Sequence, residues 1–178
     1  MTEAVLEFSR PIRVDQVSTR GIELDLTAKP SELKALADRF GLVELKDLEA
    51  SLRLKLIANG TMVRMTGVLT ASVVQTCVVS LEPVENEVRE SFSVTFSAEA
   101  EAELGEIDLS IDEDDPPEAI VDGTIDVGEV VAEYLALALD PFPRKPGAQY
   151  VETGEQPAAP EKKANPFAVL EKFREKKP

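Results

Sequence analysis

At 178 residues the chain has room for one domain of ordinary size and an appended tail. A formal charge of -15 without a single histidine removes the commonest general base and metal ligand, and sets the surface against phosphate backbones. One cysteine excludes an internal disulfide, and neither a secretory leader nor an apolar run of about 20 residues is evident, so the expectation is a cytoplasmic protein with no membrane contact.

Residues 8–14 and 22–26 alternate apolar and polar side chains, which predicts two half-buried strands. The period changes in PSELKALADRFG, where Leu33, Leu36, Ala37 and Phe40 share a helical face, Pro30 or Ser31 opens the first turn and Gly41 closes the last. Alternation returns in SLRLKLIANG, with Leu52, Leu54 and Leu56 facing inward and Asn59-Gly60 as a hairpin turn. The segment MVRMTGVLTASVVQTCVV supplies one strand or two, with Val63, Met65, Leu69, Ala71 and Val73 on a common face. EVRESFSVTFS then turns Val88, Phe92, Val94 and Phe96 inward.

Residues 98–123 hold the run DEDDPPE without periodic pattern and read as an acidic loop. In TIDVGEVVAEYLALALDPFP, Asp126 or Thr124 caps a helix that covers the sheet and ends at Pro141. The predicted fold class is therefore α+β: an antiparallel, curled sheet, barrel-like or half-sandwich, with a short helix after the first strands and a late covering helix. Residues 1–143 form that single domain and residues 144–164 a flexible linker. Residues 165–178 form an amphipathic C-terminal helix on a tether, with Asn165 as N-cap, Pro166 at the first helical position, and Phe167, Leu170 and Phe173 nearly in line.

Candidate chemistry is sparse. Cys77 is the only thiol, and a structural zinc needs four ligands, so counting excludes an internal site of thiolates and imidazoles. Without histidine the thiol also lacks the usual activating base, which leaves a small buried residue as the favoured reading. The run Asp112, Glu113, Asp114, Asp115 lacks the alternate ligands and central glycine of a calcium loop. No phosphate loop, nucleophile elbow or HExxH is present, so no catalytic residue, metal or cofactor is assigned and the expectation is a protein that is not an enzyme.

Contact sites read differently. Residues 99–133 carry 14 acidic side chains and no Lys or Arg. With Asp112 to Asp115, Glu118 and Asp122 they suit a basic protein partner. Phe167, Leu170 and Phe173 either dock on their own domain or fill a groove on a partner. Arg53, Lys55, Arg64 and Arg89, on solvated strand faces, form the alternative, a direct RNA-binding patch.

QTCVVSLEPVENEVRESFSVTFS, IDVGEVVAEYLALALDPFPRKP and KANPFAVLEKF, in that order, resemble the bacterial YceD family, the large ribosomal RNA subunit accumulation proteins, over roughly residues 60–178. GLVELKDLEASLRLKL resembles alphaproteobacterial members. Many members carry C-x-x-C, then Leu and Pro, with further Cys or His after the late helix. Here Cys77 keeps the first position, Ser80 replaces the second thiol, Leu81 and Pro83 follow, and Lys145 and Tyr150 stand in the later cluster. The resemblance implies a lapsed metal knuckle whose strand and turn remain, and a part in ribosome biogenesis. It also implies, as partner, a basic large-subunit ribosomal protein, whose gene neighbours the family's in many bacteria, or an assembly intermediate.

Overall fold

The elements follow in chain order as β1 (Pro11–Arg13), β2 (Ile22–Thr27), α1 (Pro30–Phe40), β3 (Glu44–Ile57), β4 (Met62–Thr76), β5 (Pro83–Ser97), β6 (Glu118–Ala119), β7 (Thr124–Asp126) and α2 (Val127–Ala138). The structure is a computed structural model that describes residues 6–98 and 116–148, all within a unit spanning Met1–Ala148.

Alternation builds the sheet. Val63, Met65, Leu69, Ala71 and Val73 are buried, and β4 runs as one strand through all of them. β2 to β5 form an antiparallel meander, and β6 joins β5 in parallel, giving an open five-stranded sheet in the order β2-β3-β4-β5-β6. Gly67 sits between its cross-strand partners Leu52 and Phe92. A Cβ there would meet Leu52 at 2.6 Å and Phe92 at 2.7 Å, so the missing side chain lets these two close over the strand.

Helix α2 covers the inner face with Val127, Val131 and Leu135, one turn apart and fully buried. Tyr134 stacks on Phe92 with ring centroids 4.3 Å apart. Helix α1 ends at Gly41, whose φ of 66° supplies the left-handed cap expected of it. β1 and β7 make a separate two-stranded sheet that brings fully buried Phe8 beneath α2.

The α+β class and curled antiparallel sheet match the sequence reading, and four local features differ from it. Strand β1 covers only Pro11–Arg13, because Phe8 dives into the core and the Arg10 N–H is taken by Asp126 at 2.7 Å. β3 starts at Glu44, seven residues before the alternating run. A register shift between Leu45 and Asp47 puts buried Leu45 and Leu48 three apart and hides the period. The β3–β4 hairpin turns through Ala58, Asn59 and Gly60, all at positive φ, as a longer loop than a two-residue turn. Helix α2 stops at Ala138, before Pro141, with Leu139 already extended.

The described end of the expected acidic loop is ordered. Glu118 belongs to β6, the Ile120 N–H donates to the Ser97 carbonyl at 3.1 Å, and Asp122, at φ 51°, forms the turn into β7.

Candidate functional site

The outer face of the sheet is ruled into cross-strand rows by its register. One row reads Glu23, Arg53, Thr66, Ser93; the next reads Lys55, Arg64, Thr95; a third, further along, reads Thr27, Glu49, Thr70, Arg89. Arg53 lies 3.6 Å from Glu23. Lys55 and Arg64 are direct cross-strand neighbours, and neither has a carboxylate partner among the described residues. Two like charges so placed repel, and an anion between them relieves the strain. Arg89 falls six residues along β4 from Arg64, about 20 Å away, in the row of Glu49 with Thr70 between them. The structure thus joins three of the four predicted cations and leaves Arg89 apart.

The Cys77 turn is built differently from an apolar core position. The side chain is 0% exposed. Yet β4 ends at Thr76, and the chain then turns so that the Leu81 N–H donates to the Cys77 carbonyl at 3.0 Å, with Leu81 at φ 60°. Three backbone N–H groups converge on Sγ: Ser80 and Lys145 at 3.3 Å and Val79 at 3.4 Å. Pro83 opens β5 directly after the turn.

Sequence reasoning placed Lys145 in a flexible linker. In fact its N–H meets the thiol, its ammonium pairs with Glu82 at 2.8 Å, and the Val78 N–H holds the Pro143 carbonyl at 2.9 Å. The signal for this was present only in the family pattern, where residues after the late helix share one site with the C-x-x-C turn.

The donor set around Sγ does not fit a metal. It offers one thiolate, a Ser80 hydroxyl, backbone N–H groups and a lysine already bound to Glu82, where four anionic or imidazole ligands are required. Its chemistry is that of an anion nest. The Lys145 N–H first, then the Ser80 side chain and N–H, pull the thiol down to about 6 against the opposing effect of burial.

The folded value lies below the unfolded one, so the thiolate's contribution to stability is complete above the unfolded value. It fades as pH falls toward 6. The melting temperature of the parent should therefore exceed that of Cys77→Ala by a margin that widens between pH 6 and pH 9. Parallel melting curves over that range check it, and a margin independent of pH would contradict it.

Of the predicted acidic contacts, Glu118 and Asp122 are described; Asp112, Glu113, Asp114 and Asp115 lie outside the described residues, as do Asn165, Pro166, Phe167, Leu170, Phe173 and Tyr150. Burial raises the Glu118 carboxyl above the ordinary carboxylate range, and nearby Glu133 raises it further. Glu133 is raised in turn by burial and by Glu129, with Arg39 opposing. Arg39 is itself engaged by Glu129 at 2.6 Å and Glu7 at 3.1 Å, so α2 presents carboxylates that crowd one another. Among the described residues, no helix is long and apolar enough to cross a membrane.

Residues 65–174 match the family described as "Large ribosomal RNA subunit accumulation protein YceD". The match runs from within β4 through β5, the Cys77 turn and α2. Comparison with curated proteins and with solved structures finds no match.

Proposed function

Since the chain belongs to the YceD family, whose role is accumulation of the large ribosomal RNA subunit, we propose that it acts as a non-enzymatic assembly factor that binds a basic large-subunit ribosomal protein through its acidic residues. The observation that carries this reading is the run of 14 acids without one Lys or Arg over residues 99–133. Its described end, at Glu118 and Glu133, holds carboxylates that repel each other. A lysine- or arginine-rich chain relieves that repulsion, and the same field steers its approach.

The test uses the full chain and purified large-subunit ribosomal proteins. A basic protein is expected to be retained at low salt. Replacing Asp112, Glu113, Asp114, Asp115, Glu118 and Asp122 by their amides should weaken it about tenfold or more, since six ion pairs at about 0.2–1 kcal/mol each sum to about 1–6 kcal/mol, against about 1.4 kcal/mol for one decade. Retention that survives both this replacement and physiological salt would overturn electrostatic capture.

The Lys55–Arg64 pair favours a second reading, direct contact with an RNA phosphate backbone by the outer face. In that case Lys55→Gln with Arg64→Gln should lower RNA retention on filters about tenfold and flatten its salt dependence by roughly two charges, while Arg89→Gln should do little.

A further inference from the structure

The strand β5 is fifteen residues long, and β6 pairs with only two of them, Phe96 and Ser97. Ile120 donates to the Ser97 carbonyl, which fixes the direction of the backbone groups. Within an antiparallel strand the N–H and C=O of one residue point the same way and alternate along the chain. The β4–β5 register is unbroken from Met62–Ser97 to Thr76–Pro83, so the alternation carries through. Glu85, Glu87, Arg89, Ser91, Ser93 and Thr95 therefore direct their amides and carbonyls away from β4; the Thr95 carbonyl meets the Glu118 N–H of β6, and none of the described residues pairs with the other five.

An edge of this length is a template for another strand, and proteins usually blunt it with charged side chains, lysine above all, an internal proline or a bulge. Along the nine residues from Glu85 to Ser93 β5 has no bulge, proline or lysine, and the charges it carries are Glu85, Glu87, Arg89 and Glu90. The chain's own added strand also stops short. Pro116 has no N–H to give to the Ser93 carbonyl, which removes the next bond of the β5–β6 ladder.

Two clefts border the edge, one of about 550 Å³ near Thr95, Glu118 and Tyr134 and another of about 320 Å³ near Glu87, Glu90 and Asp140. The charged groups lining them are Glu87, Glu90, Glu118 and Asp140 against Arg64 and Arg89, and Glu85 is paired with Lys46 at 2.7 Å. Glu85 and Glu87 lie on the outer face, Glu90 on the inner, and Glu118 at the far end.

We propose that the β5 edge from Glu85 to Ser93 receives an extended lysine- and arginine-rich segment of a protein partner as an added antiparallel or parallel strand. The main chain supplies the affinity, and Glu85 and Glu87 on the outer face select for cations at alternating positions of the guest, with Glu90 adding to the field from the inner face. This rests on the reading that the partner is a basic protein, and adds where and how it is held.

The experiment titrates the full chain with a ten-residue peptide of alternating lysine and valine and follows amide exchange residue by residue. Exchange at Glu85, Glu87, Arg89, Ser91 and Ser93 should slow at least tenfold. Ser91→Pro removes one outward N–H while sparing the ladder to β4, and should weaken the peptide at least tenfold with an unchanged circular dichroism spectrum. Should that variant unfold, the exchange map alone decides, together with Glu85→Gln, Glu87→Gln and Glu90→Gln, which should weaken the peptide several-fold.

Protection confined to other residues, peptide binding indifferent to Ser91→Pro in the folded variant, or binding of an RNA oligonucleotide in place of the peptide would each overturn the proposal. The two readings fail separately. If Ser91→Pro keeps the ribosomal protein in an acid-dependent way, only the edge is wrong; if the peptide protects the edge yet no basic ribosomal protein is retained, only the assignment of partner is wrong.

Discussion

Gly128→Ala should destabilise the protein by about 3 kcal/mol or more, a loss read directly from urea denaturation. Alanine is the better helix former by about 1 kcal/mol, so propensity alone predicts the opposite sign. Contact decides. A Cβ at Gly128 would stand 2.0 Å from the Phe8 carbonyl oxygen and 3.0 Å from the Arg10 nitrogen. Both are backbone atoms, and neither can swing aside as a side-chain tip does. The segment from Phe8 to Arg10 must therefore lift from α2, and that movement draws fully buried Phe8 from the core and strains the Val127 N–H bond to the Arg10 carbonyl. A shift below about 1 kcal/mol would mean that the N-terminal segment does not pack on α2 as described.

Asp126→Ala, two residues away, should cost about 2–4 kcal/mol through a different cause. Its carboxylate accepts the Arg10 N–H at 2.7 Å, the Gly128 N–H at 3.1 Å and the Glu129 N–H at 3.2 Å, and also the Ser9 hydroxyl. One side chain thus caps α2 and ties the N-terminal segment to it. Helix caps alone contribute about 1 kcal/mol; the remainder comes from two further donors left without their charged acceptor. Asp126→Asn keeps one oxygen and should fall between. Equal stability of the alanine variant and the parent in urea would show that water replaces all four bonds without loss.

Both positions show what was legible in the sequence. Asp126 as a cap follows from an acid ahead of an apolar helical run. Its hold on Ser9 and Arg10 does not, since nothing local announces a contact across 116 positions. Uninterrupted alternation gave away β4 and β5, whereas the irregularity at Lys46 concealed the first half of β3. The cationic residues were all visible. Their grouping required register, which separates Arg89 from Arg64 even though both lie on the same face. For Cys77 the count of thiols argued against zinc on chemical grounds but said nothing of the N–H groups aimed at Sγ, because one of those comes from Lys145, 68 positions away.

The pairing of Pro11 with Asp126 has a kinetic side. Hairpins from β2 to β5 join near neighbours, and the β3–β4 turn closes across only four residues. Drawing β1 to β7 closes a loop of well over a hundred residues, at roughly 3 kcal/mol more chain entropy than such a hairpin. During synthesis the first strand must wait, unpaired, until nearly all of the domain has emerged. The end that is made first is then the last to find its place.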